Sequence, residues 1–99
     1  LILYNVTVKV DREVHEEWRR WMKEVHIPDV LDTGHFVSHR FFRLLHEEED
    51  GVTYAIQYFA RATEDIEAYM KRDAQRLQAE HAQRYKERYV SFRTLLEEL

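Results

Sequence analysis

The hydrophobic period of this chain switches between two and about 3.6 along its length, and the order of the switches leaves few folds open. Residues 2–10 alternate. Ile2, Tyr4, Val6, Val8 and Val10 point one way, while Leu3, Asn5, Thr7 and Lys9 point the other, as in a strand with one face on a core. Residues 11–26 take helical spacing, with Val14, Trp18, Trp21, Met22 and Val25 on one stripe. Asp11 is placed to cap this helix. Pro28 is expected to mark its exit, because the residue before a proline is driven away from helical backbone. Residues 36–46 are rich in β-forming types, and the acidic run Glu47 to Asp50 before Gly51 reads as a hairpin turn. Residues 52–61 return as a strand, with Val52, Tyr54, Ile56 and Tyr58 on one face and Thr53, Ala55, Gln57 and Phe59 on the other. Thr63 is expected to cap a long helix carrying Ile66, Met70, Ala74, Leu77, His81 and Tyr85 on its stripe. Residues 89–96 form the last strand, with Val90, Phe92 and Leu96 opposite Tyr89, Ser91, Arg93 and Leu95.

The order β-α-β-β-α-β predicts one α+β domain over residues 1–99, of the ferredoxin-like type, with a four-stranded antiparallel sheet. Right-handed crossovers place the first and third strands in the middle and both helices on one face. The other face is then expected to carry Leu3, Asn5, Thr7, Gln57, Phe59, Ser91 and Arg93. The second strand adds either His39 and Arg43 or Ser38 and Arg40, since both of its faces mix apolar and basic residues. Such a face is too apolar for bare solvent and too polar for a dry core. Two copies packed across a two-fold axis resolve this, pairing as a dimeric α+β barrel whose interior is filled by side chains or holds one small ligand.

Composition narrows the function. The 99 residues suit one domain, and 44 % apolar content supports a packed core rather than disorder. There is no cysteine, which removes disulfides, thiolate zinc sites and cysteine nucleophiles together and fits a reducing cytoplasm. No run approaches the roughly 20 apolar residues of a membrane span, and the start LILYNVTVKV lacks the basic n-region of a signal peptide. The net charge of −4 lacks the basic bias that phosphate contacts demand, so nucleic acid is not the expected partner. An RNA-recognition role also wants third-strand aromatics on the open face, whereas Tyr54 and Tyr58 fall on the helix face. With two isolated glycines there is no phosphate-cradling loop, and neither Ser38 nor Ser91 sits in a nucleophile elbow.

Six histidines raise the question of a metal. His15 and His26 lie eleven residues apart, about 16 Å along a helix, and His35 and His39 about 13 Å apart on a strand. Neither pair chelates alone, no HxxxH or HExxH spacing occurs, and no metal or cofactor is expected. His81, on the apolar stripe of the long helix, reads as a core histidine holding a local hydrogen bond. If the chain is an enzyme, its general acid or base is His26 or His39. The plainer reading of His26 is a helix C-terminal histidine stabilised by the dipole. Asn5, Thr7, Gln57 and Arg93 form the expected ligand-binding set, converging from three strands on the open face, with Arg93 suited to a carboxylate or phosphate. The competing reading is a buried polar network that fixes dimer register. Trp18, Trp21 and Met22 read as core, although either tryptophan could project toward a partner.

Trp21-Met22, His26-Ile27-Pro28, Thr33-Gly34, Tyr54 with Gln57-Tyr58, and Arg93-Thr94 carry a resemblance spanning the whole chain. It resembles a family of short bacterial proteins of unknown function that is similar to the dimeric α+β-barrel superfamily. That superfamily includes antibiotic-biosynthesis monooxygenases, the muconolactone-isomerase type and stress-responsive barrel proteins. The resemblance implies the ferredoxin-like fold and a homodimer. It assigns no catalytic residue.

Overall fold

The structure, a computed structural model, describes residues 1–46 and 48–99. Four strands, β1 (Ile2–Val10), β2 (Ser38–Arg43), β3 (Val52–Ala60) and β4 (Tyr89–Glu97), form one antiparallel sheet in the order β2-β3-β1-β4. The first helical arm runs as α1 (His15–Trp21), a π-helical turn (Met22–His26) and α2 (Ile27–Asp32). The second runs as α3 (Thr63–Arg72) and α4 (Ala74–Tyr85). The chain therefore has the ferredoxin-like α+β fold, with β1 and β3 central as the period analysis expects.

The alternation in β1 and β3 places Tyr4, Val8, Val10, Val52, Tyr54, Ile56 and Tyr58 in the core under the helices. Trp18, Ile56, Leu77 and Val10 are fully buried, and truncating Ile56 or Leu77 to alanine costs about 2–5 kcal/mol. Phe36 and Tyr69 close one end of this core by stacking around Tyr4 and Tyr58.

Several local expectations are corrected. Asp11 does not cap α1; it ion-pairs with Arg88 at 2.6 Å, tying the start of the first arm to the start of β4. Thr63 is the first residue of α3 rather than its side-chain cap. The long second helix breaks at Asp73, whose carboxylate takes hydrogen bonds from His35 and Arg76. β2 is shorter than residues 36–46. Glu48 bridges Gly51 across the turn, and Glu47, the first residue of the expected acidic turn, lies outside the described residues.

The largest departure is at Pro28, which does not end the helix. The backbone stays helical through Ile27 (φ −62°, ψ −46°), and Pro28 sits in the first turn of α2, where a missing N–H costs least. The π turn makes this possible: the Ile27 N–H reaches back five residues to the Met22 carbonyl. It also shifts the apolar stripe by one residue. Val25, expected inside, is 40 % exposed, while Ile27 and Val30 are buried.

Register decides the faces. Tyr4, Val6 and Val8 lie opposite Leu95, Arg93 and Ser91, so those β4 residues share the helix side of the sheet. This corrects the placement of Ser91 and Arg93 on the open face. In β2, His39, Phe41 and Arg43 pair with Tyr58, Ile56 and Tyr54 on the helix side, leaving Ser38, Arg40 and Phe42 on the open side.

Candidate functional site

Between the helix side of β1, β3 and β4 and the two helical arms lies a cavity of about 510 Å³. This size suits a small organic ligand. Val6, Val8 and Ile56 form its floor, and Met22 and Val30 wall it from the first arm. Ala74, Ala79 and Ala82 leave room where larger side chains on α4 would fill it. Gln75, Ala79, Ala82 and Arg93 are exposed at the rim, so the mouth opens between α4 and β4.

Two imidazoles meet at the inner wall. His26, on the π turn, and His81, on α4, lie with ring centroids 5.6 Å apart. The Trp18 indole donates to His81 Nε2 at 2.8 Å, which leaves the His81 proton on Nδ1. His26 stacks on Trp21 at 5.2 Å, and its Nδ1 is buried with no hydrogen-bond partner. Tyr89 meets His81 edge-on at 4.4 Å. Burial pushes both histidines down to about 4; beside His26, Arg93 adds to this and Asp29 opposes it, while His81 is lowered further by His26 and Arg93. At neutral pH both rings are uncharged.

Arg93 reaches in from β4. Its Nε donates to the Tyr4 hydroxyl at 2.9 Å. Burial raises the Tyr4 pKa and Arg93 holds it partly back; burial raises Tyr58 and Tyr69 as well. All three phenols therefore stay protonated, as donors rather than bases. The cavity thus combines an apolar floor, neutral imidazoles, phenol donors and one guanidinium.

The expected site residues divide between the two sides of the sheet. His26 lines the cavity, not as a helix-end histidine but inside a continuous helical arm. His39 is exposed on the edge strand β2 and does not line it. Arg93 lines it, whereas Asn5, Thr7 and Gln57 lie on the open face, so the four do not converge. His81 is buried, as its position on an apolar stripe suggests, but its partner is Trp18, 63 residues away, rather than a local group. Trp18 is core, and Trp21 packs among His26, His81 and Tyr85. Among the described residues no three His, Cys, Asp or Glu are grouped to hold a metal ion.

The open face is ordered in rows across the four strands. Arg40, Gln57, Asn5 and Thr94 form a polar row. On one side of it run Ser38, Phe59, Leu3 and Leu96, and on the other Phe42, Ala55, Thr7 and Phe92. Phe92 is 62 % and Phe42 47 % exposed.

These features define the class: a ferredoxin-like α+β domain with a cavity under its helices and an apolar open sheet face. Among solved structures of this fold, the chain is similar to HapK from Hahella chejuensis (TM-score 0.75, 13 % identity, covering 100 % of this chain and 93 % of that one). It is also similar to a dimeric ferredoxin-like protein from an uncultured marine organism (TM-score 0.73, 10 % identity, 100 % and 98 %). A third similar structure is an EthD-family protein from Bacillus halodurans (TM-score 0.70, 12 % identity, 100 % of each chain). The chain belongs to the DUF4286 family, a domain of unknown function whose model matches residues 1–99. No curated protein matches it in sequence. No helix among the described residues is long and apolar enough to cross a membrane.

Proposed function

We propose that this protein is a homodimer whose subunits each bind a small organic molecule in the cavity between sheet and helices. The observation that carries the reading is the cavity itself: about 510 Å³, apolar at its floor, with His26, His81, Tyr4 and Arg93 directed at one volume. An incidental packing defect would be smaller and would not gather four hydrogen-bonding side chains. The dimer reading is supported by the open face, where Phe42, Val90, Phe92 and Leu96 form more exposed apolar surface than a lone subunit keeps without a use. The fold neighbour described as dimeric supports it too. In the dimer the polar row through Asn5 and Gln57 sets register, while ligand binding belongs to the opposite side of the sheet. The cysteine-free sequence supports a cytoplasmic location.

Native mass spectrometry of freshly purified protein tests both parts. The expected species is twice 12.2 kDa with additional bound mass, and Ala79→Trp at the cavity rim abolishes the additional mass while leaving the dimer intact. A monomer at micromolar concentration would refute the pairing. Bound mass that survives Ala79→Trp would place the ligand elsewhere.

A further inference from the structure

Arg93 is the one arginine among the described residues that lines the cavity. Arg19, Arg76, Arg84 and Arg88 each meet at least one carboxylate, while Arg12, Arg20, Arg40, Arg43, Arg61 and Arg72 meet none among the described residues but lie outside the cavity. Arg93 meets none among the described residues, although it lies on a strand only four residues before Glu97. Among the described residues its one side-chain hydrogen bond runs through Nε to the Tyr4 hydroxyl, which leaves the paired Nη donors without a partner there. Among the described residues no aspartate or glutamate lines the cavity, and Arg93 is the only charged one that does.

Other lining side chains supply donors as well, the amides of Gln75 and Gln78 and the Ser91 hydroxyl being able to donate or accept. The Tyr4 hydroxyl, accepting from Arg93, keeps its own proton to give. His81 carries its proton on Nδ1, because Trp18 occupies Nε2. A cavity with one fixed cation, several donors and no anion is electrostatically incomplete for an anion. The apolar floor excludes a bare inorganic ion as the best fit and demands a hydrocarbon body attached to the charge.

We propose that the cavity takes an organic monocarboxylate, its carboxylate gripped by the Nη donors of Arg93 beside the Tyr4 hydroxyl and its apolar body lying over Val6, Val8 and Ile56. This rests on the cavity being a ligand site. Arg93 then supplies the paired, planar recognition that a carboxylate matches and a neutral amide does not.

The test uses 2-naphthoate and its uncharged isostere 2-naphthamide, each titrated calorimetrically into the whole protein at pH 7.5 and low salt. Naphthoate is expected to bind at least about tenfold more tightly than naphthamide, the range of a charge-assisted hydrogen bond. Arg93→Gln is expected to erase that difference, bringing naphthoate affinity down to that of naphthamide measured on the same variant. Arg93→Lys restores part of it, since the charge returns without the fork. Equal binding of the two probes, or a preference that survives Arg93→Gln, overturns the carboxylate assignment and leaves the cavity a ligand site. Failure of both probes to bind, with Ala79→Trp also silent in native mass spectrometry, overturns the cavity reading itself.

Discussion

Acid should weaken this fold in a defined window, because His26 and His81 resist protonation as long as they are packed. Both rings are held near 4, whereas in the unfolded chain they regain the ordinary 6.5. Above pH 6.5 the rings are neutral in both states and stability is fully present. Between pH 6.5 and pH 4 the unfolded chain takes up protons that the native protein refuses, so stability falls with falling pH. Each pH unit in this range removes about 1.4 kcal/mol per ring, so lowering the pH from 6.5 to 5.0 removes about 2 kcal/mol for each histidine and about 4 kcal/mol for the pair. That is a large share of the roughly 5–15 kcal/mol that holds a typical domain. His15, also lowered mainly by burial, acts in the same direction. The carboxylates held below their ordinary values, Glu48, Asp50 and Asp73, lose their contribution mainly below about pH 4.5, under the pH 5.0 at which the loss is measured. Urea unfolding at fixed protein concentration, compared at pH 7.5 and 5.0, measures the loss. His81→Gln, whose side-chain carbonyl can still accept from Trp18, should roughly halve the pair's contribution. A loss below about 1 kcal/mol, or imidazole NMR signals from His26 and His81 titrating near 6.5, would refute the reasoning.

Three further outcomes follow from single contacts. Phe92→Glu, placed on the exposed apolar row of β4, should convert the proposed dimer to monomers in size-exclusion chromatography with light scattering, without loss of secondary structure. Trp18→Phe removes the indole that serves His81 Nε2; it should cost at least about 1–3 kcal/mol in urea unfolding at pH 7.5 from the stranded acceptor alone. Gly51→Ala would place a Cβ 2.8 Å from the Val10 carbonyl oxygen, which backbone pairing holds in place, so the melting temperature should fall by the equivalent of about 1–3 kcal/mol.

The strands show what period can and cannot reveal. In β1 and β3 one face is wholly apolar, so alternation identifies both the strand and its inward side, and the central positions follow from crossover handedness. In β4 the more apolar set, Val90, Phe92 and Leu96, faces outward, while Ser91 and Arg93 face the helices. Period two says that faces alternate, not which face is buried, and here two surfaces compete for apolar residues: the core and the open face. β2 is ambiguous for the same reason. The cavity was hidden for another one. His26 and His81 are 55 residues apart, and the π turn that brings His26 inward leaves no helical signature, because it breaks the 3.6 spacing that pattern reading depends on. A polar residue on an otherwise apolar stripe, His81 between Leu77 and Tyr85, was the readable trace of it.

The extra residue of the π turn has a bearing on how this gene can change length. Met22 and Ile27, both buried, are five positions apart, where an ordinary helix needs four. Loss of one codon among Lys23, Glu24 and Val25 closes that spacing to four and keeps Ile27 and Val30 on the inward stripe, but it leaves Pro28 inside an unbroken α-helix, which costs about 3 kcal/mol. The same loss within β3 would turn Val52, Tyr54, Ile56 and Tyr58 out of the core. A single-residue loss is therefore expected to cost one local helix distortion at the segment that borders the cavity, and the whole inward face in the sheet beneath it.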